Sequence, residues 1–212
     1  MRLLIESLQD DKNLDQVTTR EYLALIAGGN LRLSRLVENF LTFSRIERNR
    51  EPFKFSPTSP SGVIESVQRA ARERLQPSGY CIEVDVTPAL PDIVADADAL
   101  ETALLNLLDN AFKYTGVDKH ISMRAYAEES CVVFSVEDNG IGIAPREQKQ
   151  IFQSFYRVDR RLARETSGCG LGLSIVYSIA RAHGGFVRVN SQTGLGSTFR
   201  ILLPFPPKLE ES

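Results

Sequence analysis

Asn106, Asn110 and Lys113 are the residues whose types and spacing first suggest chemistry in this chain of 212 residues. The asparagines are four residues apart and the lysine follows three later, so a helix places all three near one face. Amide oxygens are hard, neutral ligands that suit Mg²⁺, and an ammonium group suits phosphate. The pattern predicts a site for a magnesium-bound polyphosphate. Alternatively, the asparagines only hydrogen-bond a neighbouring loop and Lys113 is solvated.

A second candidate group is the segment EDNGIGI at residues 137–143. It places Asp138 at the end of a predicted strand, shortly before Gly140 and Gly142. A carboxylate there can accept a hydrogen bond from the exocyclic amine of a purine, and glycines let the backbone approach the base. An ordinary Asn-Gly turn is the alternative interpretation.

Two further segments, GCGLGLSIV and TGLGSTFRI, are rich in glycine. The first places Gly168, Gly170 and Gly172 directly before a predicted helix, where backbone amides and the helix dipole favour an anion. Its spacing matches neither a phosphate loop ending in GK[ST] nor a dinucleotide fingerprint. The second segment is also compatible with a simple hairpin turn.

The elements that would position these residues are predicted from hydrophobic periodicity and turn residues. Asp98 and Glu101 form a capping-box pattern that opens a helix over 100–114. Pro145 predicts a short helix that ends near Phe152. The other predicted helices are 63–75 and 171–182, and the predicted strands are 80–86, 121–127, 132–137, 186–191 and 198–203. Two strand pairs are typical of antiparallel hairpins, so the pattern favours an α+β fold built as a two-layer α/β sandwich.

The first 48 residues follow a different pattern, a heptad seam with one glycine defect. The seam consists of Tyr22, Ile26, Gly29, Leu33, Leu36, Phe40 and Phe43. Such a helix needs a partner, and residues 3–8 could supply part of one in an antiparallel hairpin. Residues 3–8 are too few to cover the whole seam, so the pattern predicts either further upstream sequence or a second subunit. Packing of this helix on the chain's own domain is the alternative.

Residues 49–62 contain three prolines and many turn formers, so we predict a linker there. The predicted compact domain follows at 63–206, with a tail at 207–212.

Composition restricts the class of protein. The chain has 42% apolar and 25% charged residues, as a globular protein has. Its net charge of −2 provides no overall basic field, so we expect no nucleic-acid partner. Cys81, Cys131 and Cys169 form no CxxC motif, which favours reduced thiols in the cytoplasm over a zinc site. No apolar run reaches the roughly 18 residues of a membrane span, so we expect no membrane contact by these residues.

Five segments, taken in order, give the chain a resemblance to a known family: NLLDNAFKYT, EDNGIGI, IFQSFYRVD, GCGLGLSIV and GLGSTF. They resemble the N, G1, F, G2 and G3 boxes in the catalytic domain of sensor histidine kinases. The resemblance covers about residues 55–205. It implies the ATP-binding α/β sandwich shared with DNA gyrase and some chaperone ATPases, with three helices on a mixed, mainly antiparallel sheet.

The resemblance implies roles for individual residues. Asn110 would be the magnesium ligand, Asn106 would assist nucleotide binding, and Asp138 would hydrogen-bond the adenine amine. Lys113 and Tyr114 would contact phosphate and ribose. The other residues implied in nucleotide binding are Gly140, Gly142, Gly168, Gly170, Leu171, Gly172 and Thr198. A charged stretch at 157–167 resembles the family's lid over the phosphates, anchored by Phe152 and Phe155 and hinged at the three glycines of GCGLG.

The resemblance also implies that the pocket holds ATP without hydrolysing it. In the hydrolytic relatives, a glutamate that activates water stands four residues before the magnesium asparagine. Here that position is Asn106, whose amide cannot act as a base. We therefore expect a histidine, rather than water, to receive the γ-phosphoryl group.

The family's phosphoacceptor histidine lies in a motif like HE[LF]RTP, which this chain lacks. We predict that His120 is a surface residue and that His183 ends a helix, where a partly charged imidazole suits the dipole. We therefore expect a fragment that begins just after its phosphoacceptor, binds ATP and cannot phosphorylate itself. Residues 1–48 would belong to the dimerisation and phosphotransfer hairpin.

Partners also follow from the resemblance. The parent protein would form a homodimeric four-helix bundle and pass the phosphoryl group to an aspartate of a response-regulator receiver domain. It would be cytoplasmic, or the cytoplasmic part of a membrane-anchored sensor. Two other interpretations are an ATP-operated clamp, against which Asn106 argues, and a regulatory or docking module without kinase activity.

Overall fold

A computed structural model describes residues 16–47, 53–75, 82–158 and 169–205. In chain order, the elements of these segments are α1 Gln16–Glu47, β1 Ser56–Thr58, α2 Pro60–Leu75, β2 Ile82–Val86, β3 Ile93–Ala95, α3 Ala97–Tyr114, β4 Ile121–Glu128, β5 Cys131–Asp138, α4 Gly172–Ala182, β6 Phe186–Gln192 and β7 Gly196–Pro204. The predicted strands and the three long predicted helices of the domain are therefore confirmed, with small shifts at their ends.

Five strands form the main sheet, in the order β2-β4-β5-β7-β6. β2 runs parallel to β4, and the other three pairings in this sheet are antiparallel. In the first hairpin, Ile121 lies opposite Asp138 and Glu128 lies opposite Cys131. Both predicted hairpins and the mixed, mainly antiparallel sheet are confirmed.

Helices α2, α3 and α4 enclose the core against one face of this sheet. Their apolar residues recur at helical spacing, and alternate residues of the strands meet them. The buried residues of α3 are Leu100, Ala103, Leu104, Leu107, Leu108 and Ala111. Full burial of a leucine side chain contributes about 1.5–3 kcal/mol. The predicted two-layer sandwich is confirmed, and burial of this apolar face determines where the polar face of α3 points.

The predicted capping box at Asp98 is wrong. The N-cap of α3 is Asp96, whose side chain accepts a hydrogen bond from the Ala99 N–H at 3.0 Å. Glu101 accepts a hydrogen bond from the hydroxyl group of Ser66 in α2 instead of reaching back to the cap. Strand β3 ends directly before Asp96, so the chain enters the helix earlier than the pattern predicts.

The segment after Pro145 forms successive hydrogen-bonded turns, where the sequence predicts a short helix. The N–H groups of Glu147 and Gln150 each bond the carbonyl three residues earlier, at 2.9 and 2.8 Å. The side chain of Gln148 bonds the Ser191 carbonyl at 2.9 Å. These consecutive turns are therefore accompanied by a tertiary contact to β6. The predicted helix is wrong.

Part of the predicted linker at 49–62 is regular structure. β1 pairs antiparallel with β3, with Ser56 opposite Ala95. The hydroxyl group of Thr58 donates to the Ala95 carbonyl at 3.0 Å, and α2 begins at Pro60. Strands of three residues are too short to show a periodic pattern, so turn-forming residues dominated the prediction. This part belongs to the sandwich, and the other domain boundaries remain predictions.

The long helix α1 spans 32 residues and confirms the helix predicted for the heptad seam. Its Phe43 ring lies edge-on to the Phe155 ring, with centroids 6.0 Å apart, so this end of α1 packs on the domain. Leu33 and Phe40 are each 55% exposed, so the domain leaves the middle of the seam uncovered. The predicted partner segment, residues 3–8, lies outside the described residues. Among the helices of the described segments, none is long and apolar enough to cross a membrane.

Candidate functional site

Helix α3, which carries the two asparagines, is held at both ends. At its start, the carboxylate oxygens of Asp96 accept the N–H groups of Ala99 and Lys54, at 3.0 and 2.8 Å. Beyond its end, the ammonium group of Lys119 donates to two carbonyls of the last turn and cap, at 2.8 and 2.6 Å. These bonds satisfy backbone groups that helix ends leave open, so α3 presents its polar face in a fixed position.

His183 connects the start of α3 to the end of α4. Its Nε2 accepts the Asp96 N–H at 3.0 Å, so Nδ1 carries the proton and donates to the Ile179 carbonyl at 2.8 Å. The buried ring lies edge-on to Phe53 and Phe55. Burial lowers the pKa of His183 below its usual value. The predicted partly charged imidazole is therefore wrong, because this position requires a neutral ring with one acceptor nitrogen.

We expect mild acid to destabilise the fold through His183. The pKa of His183 is lower in the folded chain than its unperturbed value of 6.5, so the unfolded state binds the proton first. The contribution of His183 to the free energy of unfolding is therefore fully present above pH 6.5. This contribution is lost as the pH decreases through the pKa that His183 has in the folded chain. Urea titrations over a pH series should show this loss in the wild type and a flatter profile in His183→Gln.

His120→Gln is the matched control for that measurement. His120 is exposed, which confirms the surface prediction, and its ring contacts the exposed carboxylate of Asp118 at 3.4 Å. The control should keep the wild-type pH profile. Identical profiles for the wild type and His183→Gln would contradict the role assigned to the buried ring.

Asn106 lies where α3 meets the start of α4, and Asn110 is one turn further along the same face. Asn106 donates to the Thr102 carbonyl at 2.9 Å. Its Oδ1 is 3.0 Å from the position that a Cβ on Gly172 would occupy. The amide face of α3 is therefore in contact with the glycine-rich start of α4. Asn106 and Gly172 are 66 residues apart in sequence.

The end of α3 contacts the EDNGIGI loop. The carbonyl of Tyr114 accepts the Ile141 N–H at 3.1 Å. Gly140 lies so close that a Cβ there would be 2.5 Å from that carbonyl oxygen. The Lys113 ammonium group lies 5.5 Å from the centroid of the Tyr114 ring, and both side chains are half-buried. Lys113 and Tyr114 therefore lie beside the loop that carries the candidate base acceptor.

Asp138 ends β5 on the face of the sheet that the helices cover. Its Oδ1 accepts the Gly140 N–H at 2.8 Å. Burial raises the pKa of this carboxyl group, the N–H groups of Gly140 and Ser197 counter the rise, and Glu137 adds to it. A carboxylate has several acceptor positions, so Asp138 can still accept a hydrogen bond from a ligand N–H.

A hydrogen-bond network that the sequence analysis missed holds this loop against β6. The hydroxyl group of Ser191 accepts the Ile143 N–H at 2.7 Å and donates to a carbonyl of β7 at 2.9 Å. Gln148 donates to the carbonyls of Ile143 and Ser191, at 3.0 and 2.9 Å. Gly142 has a φ of +66°, and a Cβ there would lie 2.0 Å from the Gln192 carbonyl oxygen. No motif marks Ser191 or Gln148, so only the fold reveals them.

Thr198 lies on the opposite face of the sheet from Asp138. Side chains alternate along a strand, and Asp138 pairs with Ser197 whereas Glu137 pairs with Thr198. A shallow cavity of about 310 Å³ at this end of the sheet is bordered by Asp138, Ser197 and Thr198. The hydroxyl group on the Asp138 face is therefore that of Ser197, which the sequence analysis did not select.

The start of α4 has backbone amides that suit an anion. Its N-cap is Leu171, a buried residue that makes no side-chain capping bond. Gly170, with a φ of +75°, and Gly172 flank this residue. Open N–H groups at a helix start favour a negative charge. Because Asn106 touches Gly172, this helix start and the amide face of α3 adjoin.

The predicted lid is described only at its edges, since residues 159–168 lie outside the described segments and include Gly168. Phe152 packs on the core, whereas Phe155 is 60% exposed and has a φ of +66°. The Phe155 N–H donates to the Gly170 carbonyl at 2.9 Å, so the two edges are hydrogen-bonded to each other. A positive φ is uncommon for an aromatic residue and marks a strained position at the start of this segment.

A family model decides the classification of this chain. The model described as Histidine kinase-, DNA gyrase B-, and HSP90-like ATPase matches residues 95–207. The chain belongs to this family. Its relatives and structural neighbours show that the domain is an ATP-binding domain of the sensor histidine kinase type.

The relatives match this histidine kinase domain over most of its length. The sensor-like histidine kinase SenX3 of Mycobacterium tuberculosis is 33% identical over 206 residues, which are 96% of this chain and 49% of SenX3. Full-length ShkA in complex with AMPPNP has a TM-score of 0.72 at 31% identity, and the match covers 96% of this chain and 42% of ShkA. For the mycobacterial sensor histidine kinase MprB, the TM-score is 0.62 at 31% identity, with 73% and 99% covered. The chain thus spans about half the length of SenX3, and less than half of ShkA.

Proposed function

We propose that this histidine kinase domain binds Mg-ATP between α3, the Asp138 loop and the start of α4, and transfers the γ-phosphoryl group to a histidine of a dimerisation hairpin. One observation carries the proposal: Asn106, in the middle of α3, touches Gly172, while the C-terminal end of α3 touches the loop in which Asp138 holds Gly140. An amide face, a helix start that suits an anion and a base acceptor are thereby brought to one side of the sheet.

The base would be held at Asp138. Gly140 and Gly142 lie so close to the carbonyl oxygens of Tyr114 and Gln192 that any side chain would overlap them, so glycine at both positions permits this close packing of the loop. A carboxylate that is already bonded to the Gly140 N–H is fixed in orientation, which favours recognition of the adenine amine. The hydroxyl group beside Asp138 in this nucleotide site would be that of Ser197 and not that of Thr198, since Ser197 lies on the same face of the sheet as Asp138.

The phosphates and the metal would be held by α3 and α4. Asn110 would be the magnesium ligand through its amide oxygen, with Asn106 assisting nucleotide binding, and Lys113 would contact phosphate. The open amides at Leu171 and Gly172 would face the phosphate oxygens. Mg-ATP would supply the phosphoryl group and the positive charge of the metal, and these residues would align the γ-phosphoryl group. Phosphoryl transfer depends mainly on such alignment and on charge stabilisation.

Water would be a poor acceptor in this pocket. Asn106 stands where the hydrolytic relatives carry a glutamate, and its amide donates to the Thr102 carbonyl. An amide in that position cannot remove a proton from water. The phosphoryl group would therefore be kept for a histidine, and then for an aspartate of a response-regulator receiver domain.

Neither histidine of the described segments is suited to receive the phosphoryl group. Both ring nitrogens of His183 are hydrogen-bonded within the buried interior. His120 precedes β4 beside Asp118, whose charge would oppose an incoming phosphate. The acceptor would belong to a hairpin that includes α1, whose exposed Leu33 and Phe40 fit a homodimeric four-helix bundle.

The proposal is tested by following labelled ATP with this chain. We expect magnesium-dependent binding, hydrolysis far slower than that of a dedicated ATPase, and no acid-labile phosphate on the chain itself. Binding with rapid hydrolysis would contradict the kinase role and favour an ATP-operated clamp. Acid-labile phosphate on His120 or His183 would contradict the need for a separate acceptor, and absence of binding would leave only a docking module.

A further inference from the structure

The sheet face opposite the helices carries an ordered row of charges. Strand register places Asp85, Arg124, Ser135, Arg200 and Arg188 side by side across all five strands. The next row of the same face is apolar and consists of Tyr126, Val133, Leu202 and Phe186. Two arginines on β6 and β7 therefore lie beside an apolar row, in which Phe186 is 37% exposed whereas Val133 and Leu202 are buried.

Arg188 and Arg200 are direct partners in the β6–β7 pairing. Their side chains leave the same face, and cross-strand partners have Cβ atoms only about 4.5–5.5 Å apart. Like charges in this position destabilise a sheet. The pairing of the two arginines is therefore unfavourable for the sheet.

Carboxylates of the described segments do not neutralise this pair. The carboxylate of Glu137 lies 4.0 Å from the guanidinium group of Arg124, which is on β4 and does not belong to the pair. Arg188 lies over the Phe186 ring, 5.0 Å from its centroid. The Nε of Arg200 is buried without a hydrogen-bond partner. An unpaired buried donor destabilises the fold, and an incoming carboxylate would favour a rearrangement in which both guanidinium groups are hydrogen-bonded.

We propose that this strip, Arg188, Arg200 and the neighbouring exposed Phe186, is a docking site for an acidic peptide segment of a partner protein. One carboxylate would lie between the two guanidinium groups, and an apolar side chain of the same segment would cover Phe186. β6 is an edge strand of the sheet, so a segment that crosses this face over β6 and β7 can enter from the edge.

The flanking charges favour a peptide over a polyanion. Glu83 and Glu137 belong to the row on the other side of the arginines, and Asp85 ends the arginine row itself. A nucleic acid or an anionic membrane covers a wide surface and would meet these carboxylates. A single acidic side chain fits between them, and the site does not depend on nucleotide binding.

The test uses a fluorescein-labelled ten-residue peptide that has a single glutamate among valine and threonine residues. We expect a rise in anisotropy with the wild-type chain, and weaker binding at high salt. Arg188→Gln and Arg200→Gln should each weaken binding about tenfold or more, since charge-assisted hydrogen bonds are lost. Arg72→Gln, on the exposed side of α2, is the matched control and should bind like the wild type.

Two further measurements make the test decisive. Arg200→Gln should raise the melting temperature, because it removes the like-charge pair and the unpaired buried donor while the Arg188 contact with Phe186 remains, and it should leave ATP binding unchanged. Absence of peptide binding, or equal binding by the arginine variants, would overturn the proposal. Competition by millimolar inorganic phosphate as strong as that by unlabelled peptide would also overturn it, since it would show a simple anion site. A lower melting temperature in Arg200→Gln would contradict the repulsion on which the inference rests.

Discussion

Asp138→Asn should reduce ATP binding by about 100-fold or more, which corresponds to about 3 kcal/mol. The oxygen that now accepts the Gly140 N–H must keep that bond, so the new amide nitrogen would face the ligand. Two N–H donors would then oppose each other where the proposed contact needs a donor and an acceptor. The substitution changes one atom and hardly changes the volume, so the fold should remain.

Calorimetric titration with ATP, with magnesium and with EDTA, measures this effect. Asp118→Asn is the matched control, because its carboxylate is exposed and contacts only the His120 ring among the described residues. The control should bind ATP like the wild type. Magnesium-dependent binding that survives in Asp138→Asn would show that the base lies elsewhere, and the assignment of this loop would be wrong.

Gly196→Ala should destabilise the fold by several kcal/mol and weaken ATP binding with it. Gly196 has a φ of +101°, and a Cβ there would lie 1.9 Å from the Asp138 carbonyl oxygen. An alanine therefore combines backbone strain of about 1–2 kcal/mol with an overlap that forces β5 and β7 apart, at about 1–3 kcal/mol more. Since Asp138 is the residue that must move, the base acceptor would be displaced.

Gly194→Ala separates strain from overlap in this experiment. Gly194 has a φ of +82°, but nothing lies within 4 Å of the position of its Cβ. Urea unfolding should therefore show a loss of about 1–2 kcal/mol for Gly194→Ala, with ATP affinity retained. Equal losses in the two variants would contradict the close packing of β7 against Asp138.

Much of the fold could be predicted from sequence, because its long elements carry strong periodic patterns. Helix α3 and strand β4 bury one face each, and burial of apolar side chains imposes that periodicity. Short elements carry no such pattern. The ribbon of β1 and β3 and the turns after Pro145 are decided by contacts such as those of Thr58 and Gln148, which are made with distant residues.

Some residues of the candidate site could likewise be predicted from sequence, whereas others could be identified only from the structure. Motif order indicated Asn106, Asn110 and Asp138, since few sequences combine these segments by chance. The choice between Ser197 and Thr198 required the register of β7 against β5, because neighbouring residues of a strand face opposite sides. The position of His183 at a helix end predicted a partly charged ring, and only the hydrogen bonds of the buried ring to Asp96 and Ile179 show that it is neutral.

The sequence alone therefore determined which chemical groups this protein has, in what order, and in which long elements. Those features depend on residue type and on periodicity, both of which are local. The tertiary structure decided which groups meet, as when Asn106 touches Gly172 and when Arg188 is placed opposite Arg200. Such contacts join residues distant in sequence, and they depend on strand register and on the packing of helices against the sheet, which no local pattern encodes.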